Sequence, residues 1–455
     1  MVNKKNANRV LLITLEPVSK AMAGPAIRCL ELGKQLALEM PVTVASPVEC
    51  RPEDQLEVET QSNLQIKTGL RSRTALYNLA LEHDIWVIQS NVLRPFPRLA
   101  SLALRHHKYV VVDLYDPYLF SILVQYKHDK IAGPASFSLM HQLLEFHMRN
   151  ADFSICASER QRDYWLGRYC AIGKITPEVY EFDSSCRKLI DVVPFGLNPE
   201  PAQRTGPGIR GTVDGIGADD LVLLWGGGIW DWFDPITVIK AVEKASQTIP
   251  NIRLYFMGMK SPNPKVPLMK MATDACELAR SLGVLDKTVF FGEGWVEYNQ
   301  RVNLLLDADV AVSAHFDLIE TRFSFRTRTL DYLWAGLPVL STGGDQLSEA
   351  IESVGAGRAL PYGDVDAWCD AILKLASDRE YRDSCRQASS KLSAEYTWDK
   401  TARTLVEYCR NPHKLPAFEK INMPTLLDRA KAVYARGGRQ LVLQRSREIL
   451  GDMFQ

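Results

Sequence analysis

The sequence lacks several signatures that would assign a protein class at once. Its nine cysteines include no C-x-x-C pair, and it contains neither a G-x-x-x-x-G-K-[ST] phosphate loop nor a G-x-S-x-G turn. Its eight histidines show no metal-ligand spacing. The sequence therefore gives no indication of a structural zinc site, a P-loop nucleotide hydrolase or an α/β-type serine hydrolase.

Net charge of either sign is absent as well. The chain has 54 lysines and arginines against 54 aspartates and glutamates, so its formal net charge is +0. Without a global field to recruit nucleic acid, any anion site must be local. No apolar run reaches the roughly 18 residues that a membrane span needs. The first apolar run, VLLIT, is too short for a signal core, and the odd, scattered cysteines predict reduced thiols in a cytoplasmic protein.

What the sequence does contain is a regular alternation of two patterns. Short β-branched runs without polar alternation, typical of parallel strands buried on both faces, are separated by helix-like segments. The runs in the first part of the chain are VLLITLEP (10–17), VTVAS (42–46), IWVIQS (85–90), YVVVDLYDP (109–117), ADFSICAS (151–158) and LIDVVPFG (189–196). This order predicts βαβ crossovers and an α/β sheet wound on both faces.

A Pro- and Gly-rich segment near 197–220 reads as a linker, after which the pattern restarts. The later runs are LVLLWGGG (221–228), IRLYFMG (252–258), TVFFGEG (288–294), ADVAVSAH (308–315) and GLPVLSTGG (336–344). We therefore predict two tandem Rossmann-like domains, 1–198 and 199–395, with a cleft between the carboxyl ends of their sheets. Residues 396–455 are predicted to form a helical tail whose first helix crosses back to the first domain.

The first candidate site is the turn after the first strand, AMAGPAIRCLELGKQLA (21–37). Gly24 permits a close approach of backbone to ligand, and the helix that follows would present its first amides to an anion. Arg28, one turn into that helix, could reach a phosphate. A plain connection between a strand and a helix is the alternative.

The second candidate site is LWGGGIWDWFDP (224–235), the equivalent turn of the second domain. Gly226, Gly227 and Gly228 leave their amides unhindered, so a phosphate can lie against them. Trp230 could stack on a base or pack on a sugar face. The equivalent position in the second sheet favours a ligand site over a simple connection.

The third candidate site is a basic stretch, ETRFSFRTRTLDYLW (320–334), before an apolar strand. We expect a helix that begins at Phe325, with Arg326 and Arg328 directed from its N-terminus at one diphosphate. The alternative is a basic surface turn whose arginines pair with Glu320 and Asp331.

Further polar residues fall at other strand ends. Gly343, Gly344 and Asp345 follow the strand after the basic stretch and could approach the same ligand. Asp113 and Asp116, at the end of VVVDLYDP, could each be an acid, a base, a hydroxyl acceptor or a helix cap. His315 ends ADVAVSAH, although a lone histidine is more often structural.

Together these stretches resemble a GT-B glycosyltransferase of glycosyltransferase family 4, a large family of retaining enzymes. Five segments between about residues 10 and 410 carry the resemblance. They are AGPAIRCLELGKQLA, VVPFGLN, LVLLWGGGIWDW, VFFGEGWVEYNQRVNLLLDADVAVSAH and LDYLWAGLPVLSTGGDQLSEAI. The last is the most specific, because it resembles the family's LEAMACGLPVV…GG…E block.

The chain departs from the family pattern at its cations and acids. Of the family's two glutamates, the second falls on Asp331 and the first on Phe323, with Glu320 the nearest acid. The arginine and lysine that usually follow the first strand of the second domain are replaced by GGGIWDWFD. The resemblance then implies that Arg326 and Arg328 form the diphosphate clamp, with Glu320 contacting the sugar and Asp331 the ribose or the helix start.

The resemblance implies transfer of a sugar from a UDP- or GDP-sugar to a glycan or lipid-linked acceptor, with retention at the anomeric carbon. It implies no metal and no cofactor besides the nucleotide sugar. Arginines and helix N-termini would stabilise the departing diphosphate, while Asp113 or Asp116 would orient hydroxyl groups. The setting it implies is cell-surface polysaccharide or glycoconjugate synthesis.

Two other readings stay open for the whole chain. One is a sugar-nucleotide epimerase-like enzyme of the same fold, and the other is a non-catalytic relative that binds nucleotide sugars. The basic tail suits an interfacial helix on the anionic inner face of a membrane, and it equally suits a helix packed on the protein. No feature predicts nucleic-acid binding.

Overall fold

The computed structural model describes residues 7–20, 22–50, 52–54, 62–127, 129–259, 268–292, 294, 296–416 and 425–451. The chain divides into two units. The first comprises the residues up to Ser19, Gly24–Pro194 and the residues from Thr401 onward. The second comprises Lys20–Ala23 and Phe195–Lys400. Each unit is built on its own parallel sheet.

The sheet of the first unit has seven strands in the order β3-β2-β1-β4-β5-β6-β7. The strands are β1 (Val10–Ile13), β2 (Val42–Ala45), β3 (Leu64–Lys67), β4 (Ile85–Gln89), β5 (Tyr109–Asp113), β6 (Phe153–Cys156) and β7 (Ile190–Val192). The strand order reverses direction between β1 and β4, and such a switch point leaves a crevice outside the carboxyl ends of the strands. The turn after β1, with Gly24, lies at this edge.

Helices connect these strands, as the crossover pattern predicted. They are α1 (Gly24–Ala37), α2 (Arg73–Leu81), α3 (Leu99–Arg105), α4 (Tyr118–Gln125), α5 (Ala132–Asn150), α6 (Glu159–Ala171) and α7 (Pro177–Phe182), with a short 3-10 turn at Pro52–Asp54. The central strands are buried along their whole length, which explains their unbroken apolar runs. The edge strand β3 alternates between half-buried and exposed residues, and the apolar-run criterion missed it for that reason.

The sheet of the second unit has six strands in the order β10-β9-β8-β11-β12-β13. The strands are β8 (Leu221–Trp225), β9 (Ile252–Phe256), β10 (Val289–Phe291), β11 (Val310–Ser313), β12 (Val339–Thr342) and β13 (Gly357–Leu360). The order reverses between β8 and β11, so this sheet repeats the plan of the first. The predicted fold class, two parallel α/β sheets with helices following them, is confirmed.

The helices of the second unit are α8 (Pro235–Ser246), α9 (Lys270–Ser281), α10 (Arg301–Leu305), α11 (Ile319–Phe323), α12 (Thr327–Trp334), α13 (Gln346–Val354), α14 (Val365–Ser377) and α15 (Arg379–Ser393); a 3-10 turn at Ala394–Tyr396 and α16 (Trp398–Thr401) follow. The expected helix start at Phe325 was wrong. Ser324 is extended, with φ −74° and ψ 150°, so it ends α11, and the next helix begins two residues later than predicted, after Arg326.

The end of the chain returns to the first unit as two helices, α17 (Arg403–Arg410) and α18 (Leu426–Gly451). Within α18, Gly437 and Gly438 leave helical geometry and kink it. Ala432 of α18 is buried in the core of the first unit, and Arg436 Nε donates to Ser136 Oγ of α5 at 2.6 Å. The side chain of Arg445, part of the predicted basic tail, lies outside the described residues. Among the described residues, no helix combines the length and apolar character that a membrane span requires.

A buried ion pair ties α1 to β5 in the first unit. Arg28 Nε donates to Asp113 Oδ2 at 2.7 Å and Arg28 Nη2 to Asp113 Oδ1 at 3.0 Å. Arg28 Nη1 donates to the carbonyl oxygen of Pro194 at 3.0 Å, and the guanidinium lies over the ring of Tyr115. The exposed fractions of the two charged side chains are only 0% and 3%. Each therefore depends on the other for the neutralisation of its charge.

This dependence makes the cost of single substitutions predictable. We expect Asp113→Ala to destabilise the first unit by about 3–5 kcal/mol, because it leaves a buried arginine uncompensated. The double variant Arg28→Met with Asp113→Leu should lose less than the sum of the two single variants. Hydrogen exchange of the α1 and β5 amides, measured by mass spectrometry, gives the stabilities. Additive losses would show that the pair is not coupled.

A second buried titratable group lies in α5. Among the described residues, neither ring nitrogen of His147 has a hydrogen-bond partner, and burial lowers the pKa of this histidine from 6.5 to about 3. The unfolded chain takes up a proton below pH 6.5, whereas the folded chain stays neutral down to about pH 3. Protons therefore favour the unfolded state, and stability is lost as the pH falls through this window.

Replacing this ring with a group that does not titrate should remove the pH dependence it causes. Between pH 7 and pH 5 the wild type should lose about 2 kcal/mol that His147→Leu retains, since one unit of pKa difference is worth about 1.36 kcal/mol. Urea unfolding of wild type and variant at pH 7 and pH 5 measures their free energies of unfolding. The difference between the two proteins at pH 7 is the reference for the difference at pH 5. A constant difference between the proteins would contradict the assignment.

Candidate functional site

The candidate site of the second unit lies at the switch point between β8 and β11. The turn after β8 is joined to the segment after β11 by an isolated antiparallel bridge between Phe233 and His315. The Asp234 amide also donates to the Ala314 carbonyl at 2.9 Å. Because crevices at such reversals bind ligands in open α/β sheets, the glycine turn is held where a ligand would be expected.

The three glycines of the turn differ in their contacts and in their backbone conformation. The Gly226 amide donates to the Tyr332 hydroxyl at 2.7 Å, and a Cβ on Gly226 would come within 2.8 Å of the Tyr332 ring. Gly227 has φ +78°, a left-handed conformation that L side chains rarely adopt. Gly228 offers its carbonyl oxygen to Arg328. Among the described residues, neither the Gly227 nor the Gly228 amide donates to a protein atom.

Arg328 joins α12 to this turn. Its Nη2 donates to the Gly228 carbonyl at 2.6 Å, and its guanidinium lies 4.0 Å from the centre of the Phe233 ring. Desolvation lowers the pKa of Arg328 to about 10, so it remains charged at neutral pH. Its Nη1 is buried and has no hydrogen-bond partner among the described residues. Within the described part of the chain this Nη1 therefore has no acceptor, although Tyr332 also interacts with the guanidinium.

Arg326 is held differently from its neighbour. Its Nη2 donates to Glu320 Oε2 at 2.7 Å and its Nη1 to Glu320 Oε1 at 3.2 Å. Ser324 Oγ donates to the same carboxylate, and the exposed fractions of the paired side chains are 7% and 4%. Arg326 and Glu320 thus satisfy each other in a buried pair rather than in the surface turn of the alternative, and a contact of either residue with a ligand stays a prediction. Within the described part of the chain only the Arg326 Nε lacks a partner in this group.

The glycines after β12 shape the next part of the same sheet edge. The Gly343 amide donates to the Leu360 carbonyl at 3.0 Å. Gly344 has φ +103°, and a Cβ there would collide with the Tyr362 hydroxyl. Asp345 is buried and caps α13, accepting from the Leu347 and Ser348 amides at 2.8 and 3.0 Å. Asp345 therefore fixes the start of a helix at this edge.

Two other predicted residues of the second unit are engaged with neighbours. Asp331 accepts from Arg301 Nη2 of α10 at 3.0 Å; burial raises the pKa of Asp331, against the effect of Arg301. Trp230 is half-buried and stacks on Trp232, with ring centres 5.3 Å apart and planes inclined by 2°. One face of Trp230 is thus covered by another tryptophan, and the side chain also packs against the core of the second unit.

The predicted residues of the first unit form a separate group. Gly24 is the first residue of α1, while Arg28 and Asp113 are buried against each other. Asp116 follows β5 and is half-buried, with its carbonyl accepting from the Tyr118 amide at 2.8 Å. In this arrangement Arg28 faces a carboxylate of its own unit; its contact with a phosphate stays a prediction.

Sequence reasoning missed the residue that organises the second unit's site. Tyr332 occupies the apolar side of α12, where a tyrosine reads as an ordinary core residue. Its hydroxyl nevertheless accepts from Gly226 and donates to the Val312 carbonyl at 3.1 Å. A buried tyrosine four residues after Arg328, on the same helix face, was the available signal, because a buried hydroxyl needs a partner.

No group of three or more His, Cys, Asp and Glu side chains within the described residues is arranged to hold a metal ion. The polar groups at the edge of the second sheet are guanidinium and amide N–H donors, two helix-capping carboxylates (Asp234 and Asp345) and the Glu320 carboxylate paired with Arg326. This composition suits an anionic, hydrogen-bond-accepting ligand.

Comparison with known proteins shows what this chain is similar to. Residues 221–378 match the family model described as glycosyl transferases group 1. The D-inositol 3-phosphate glycosyltransferase of Saccharomonospora viridis is 25% identical over 212 residues, or 46% of this chain and 47% of that protein. The enzyme of the same name from Corynebacterium urealyticum is 29% identical over 140 residues, 31% of each chain. The chain thus spans about half, or less, of the length of these curated relatives.

Solved structures share the fold over most of the chain. Sucrose-phosphate synthase from Thermosynechococcus elongatus superposes with a TM-score of 0.64 at 16% identity, covering 89% of this chain and 98% of that one. Anabaena HepE, solved with UDP-glucose, gives 0.62 at 13% identity over 88% and 98%. WaaG, a glycosyltransferase involved in lipopolysaccharide biosynthesis, gives 0.57 at 15% identity over 88% and 100%. The chain has the GT-B fold of these structures, and its residues 221–378 are similar to the group 1 glycosyltransferases.

Proposed function

We propose that the protein is a retaining glycosyltransferase that moves a sugar from a nucleoside diphosphate sugar to a glycan or lipid-linked acceptor in cell-surface polysaccharide or glycoconjugate synthesis. The observation that carries this proposal is the pairing of Arg328 with the glycine turn. A charged guanidinium, bound to the Gly228 carbonyl, keeps an unpaired N–H beside two glycine amides that donate to no described protein atom. These are the groups that a diphosphate requires.

The charges around the turn support an anionic ligand. Arg326 is neutralised by Glu320, and Asp331 is paired with Arg301, whereas Arg328 contacts a carbonyl oxygen and an aromatic ring. No side chain caps the N-terminus of α12, so the positive end of that helix adds to the charge of Arg328. A diphosphate at the turn would be the counter-ion of both.

In the proposed reaction the bond between the anomeric carbon and the donor phosphate breaks, and a bond from that carbon to an acceptor oxygen forms on the same face. The acceptor's proton passes to the departing phosphate oxygen, so charge develops on the diphosphate. Arg328 and the glycine amides stabilise that charge, and preorganised donors of this kind can be worth 10²–10³-fold in rate each. Asp116, half-buried after β5, is the first unit's candidate for orienting acceptor hydroxyls, since Asp113 is held by Arg28.

A UDP-sugar is the first donor to test. HepE, whose fold this chain shares, was solved with UDP-glucose. Trp230, with one face covered by Trp232, is proposed to present its other face to the base or to the sugar. GDP-sugars stay in the panel because no residue described above selects a pyrimidine.

Arg328→Ala should weaken binding of UDP and lower kcat for sugar transfer by about 10²–10³-fold, because the unpaired cation at the diphosphate is lost. Arg328→Lys should recover part of this loss through charge alone, without the fork that reaches Gly228. Isothermal titration with UDP, and turnover with a panel of UDP-, GDP-, dTDP- and ADP-sugars, measure the two effects.

The matched control is Arg322→Ala, which removes an exposed arginine of the same basic stretch and should leave both readouts within about two-fold. Donor binding without transfer or hydrolysis would favour the non-catalytic alternative, and conversion of the donor sugar to its epimer would favour the epimerase alternative. If no nucleotide sugar binds to the wild type, the proposal fails.

The tail helix α18 is the proposed contact with an anionic membrane surface. Leu427, Lys431 and Tyr434 are exposed and lie at a spacing of four and three residues, which puts them on one helix face. Beyond the kink, the exposed apolar residue Leu443 lies between two exposed cations, Arg439 and Arg447. Apolar residues flanked by cations are typical of helices that lie on anionic lipid.

Substitution is a cleaner test of this contact than deletion, because Ala432 of the same helix is part of the core. The double variant Leu427→Gln with Leu443→Gln should lose at least three-fold in co-sedimentation with phosphatidylglycerol-containing vesicles, since apolar burial drives the contact. Phosphatidylcholine vesicles are the control and should bind neither protein. Equal binding of wild type and variant to anionic vesicles would exclude this face as the contact.

A further inference from the structure

His315 is a buried residue at the candidate site, and it takes no part in the proposed contacts with the diphosphate. It follows β11, and its exposed fraction is 1%. Its backbone amide donates to Thr342 Oγ1 at 3.2 Å, and its bridge to Phe233 places it against the turn that ends at α8. His315 therefore joins the segment before α8, through its backbone, to the glycines after β12, which its ring approaches.

The surroundings of the ring define which nitrogen carries the proton. His315 Nε2 lies 3.3 Å from the Gly343 carbonyl oxygen and 3.6 Å from Asp345 Oδ2. Both neighbours are acceptors, so Nε2 is the nitrogen that donates. Burial, and then the positive charge of Arg326, lowers the pKa of His315 well below its usual range, so the ring is neutral. Nδ1 is consequently a bare acceptor.

That acceptor has no partner. Among the described residues, Nδ1 of His315 is buried and receives no hydrogen bond. An unsatisfied polar group inside a protein costs about 1–3 kcal/mol, and the neighbouring cations would repel a protonated or cationic partner. A hydroxyl group is the neutral donor that fits a site beside a diphosphate, since a nucleotide sugar carries hydroxyls on both its sugar and its ribose.

We propose that His315 is a specificity-determining residue of the donor site, whose Nδ1 accepts a hydrogen bond from a hydroxyl group of the bound nucleotide sugar. Asp345 and Gly343 are positioning groups, because they fix the tautomer through Nε2. The inference rests on the proposed function, since it assumes that a nucleotide sugar occupies the second unit. The proposed contact of His315 is a neutral hydrogen bond that recognises a hydroxyl group, whereas Arg328 recognises the negative charge of the diphosphate.

Two variants separate the two nitrogens of the ring. In His315→Asn the side-chain amide reaches only as far as Nδ1 and can still supply an acceptor there. In His315→Gln the amide reaches the position of Nε2, so it can donate to Gly343 and support the fold, but it offers no acceptor at Nδ1. Circular dichroism and thermal unfolding of both variants check that the second unit remains folded.

The experiment measures Kd by isothermal titration for wild type and both variants. The ligands are the tightest-binding member of a panel of UDP-, GDP-, dTDP- and ADP-glucose and the corresponding nucleoside diphosphate. His315→Gln should weaken binding of the nucleotide sugar about ten-fold, as expected for the loss of one buried hydrogen bond, while His315→Asn should stay within about three-fold of wild type. Arg328→Ala, by contrast, should weaken both ligands.

The two ligands identify the hydroxyl. A loss in His315→Gln seen only with the nucleotide sugar assigns the sugar hydroxyl, and an equal loss with the nucleoside diphosphate assigns the ribose hydroxyl. If both variants bind as wild type does, or if Asn is as weak as Gln, the inference is overturned while the proposed function stands. If wild type binds no member of the panel, the proposed function fails, and this inference fails with it.

Discussion

The site of the second unit depends on one buried hydroxyl. Tyr332 accepts a hydrogen bond from Gly226 and donates one to Val312, so a single side chain of α12 is bound both to the turn after β8 and to strand β11. This double contact sets the position of the helix against the switch point of the sheet. Arg328, one turn earlier on α12, then reaches the Gly228 carbonyl. The Gly228 carbonyl and the Phe233 ring then hold the guanidinium itself.

The three glycines after β8 are explained by specific contacts and backbone angles, and not by a general need for flexibility. Gly226 admits the Tyr332 ring, Gly227 adopts a left-handed conformation, and Gly228 turns its carbonyl to Arg328. A β-carbon at the first two positions would push the helix away or strain the turn. The family's cations after this strand are absent, and the structure brings a cation to the same turn from the helix on its other side.

The two sheets could be predicted from the sequence because buried parallel strands leave unbroken apolar runs, as in VLLI of β1 and LVLLW of β8. The strands that were missed, LQIK of β3 and GRAL of β13, lie at sheet edges and carry polar residues. Individual contacts were harder to predict, because they depend on where a turn bends. The extended Ser324 brings Glu320 onto Arg326, so these two residues pair with each other, which no spacing rule reveals, and their contacts with a ligand stay predictions.

The neutralisation of Arg326 has a consequence for how such a site can discriminate. Two arginines without acidic partners would bind any diphosphate strongly and would discriminate little between the groups attached to it. Charge attraction acts at a distance and tolerates many shapes. With Arg326 bound to Glu320, Arg328 supplies the charge, and short-range groups such as the Gly227 and Gly228 amides must supply the rest. Hydrogen bonds of fixed direction discriminate between ligands better than charge does, because a mismatch leaves a buried group unpaired. If the proposed donor site is correct, fewer unpaired cations give it selectivity for the sugar at some cost in affinity for the phosphates.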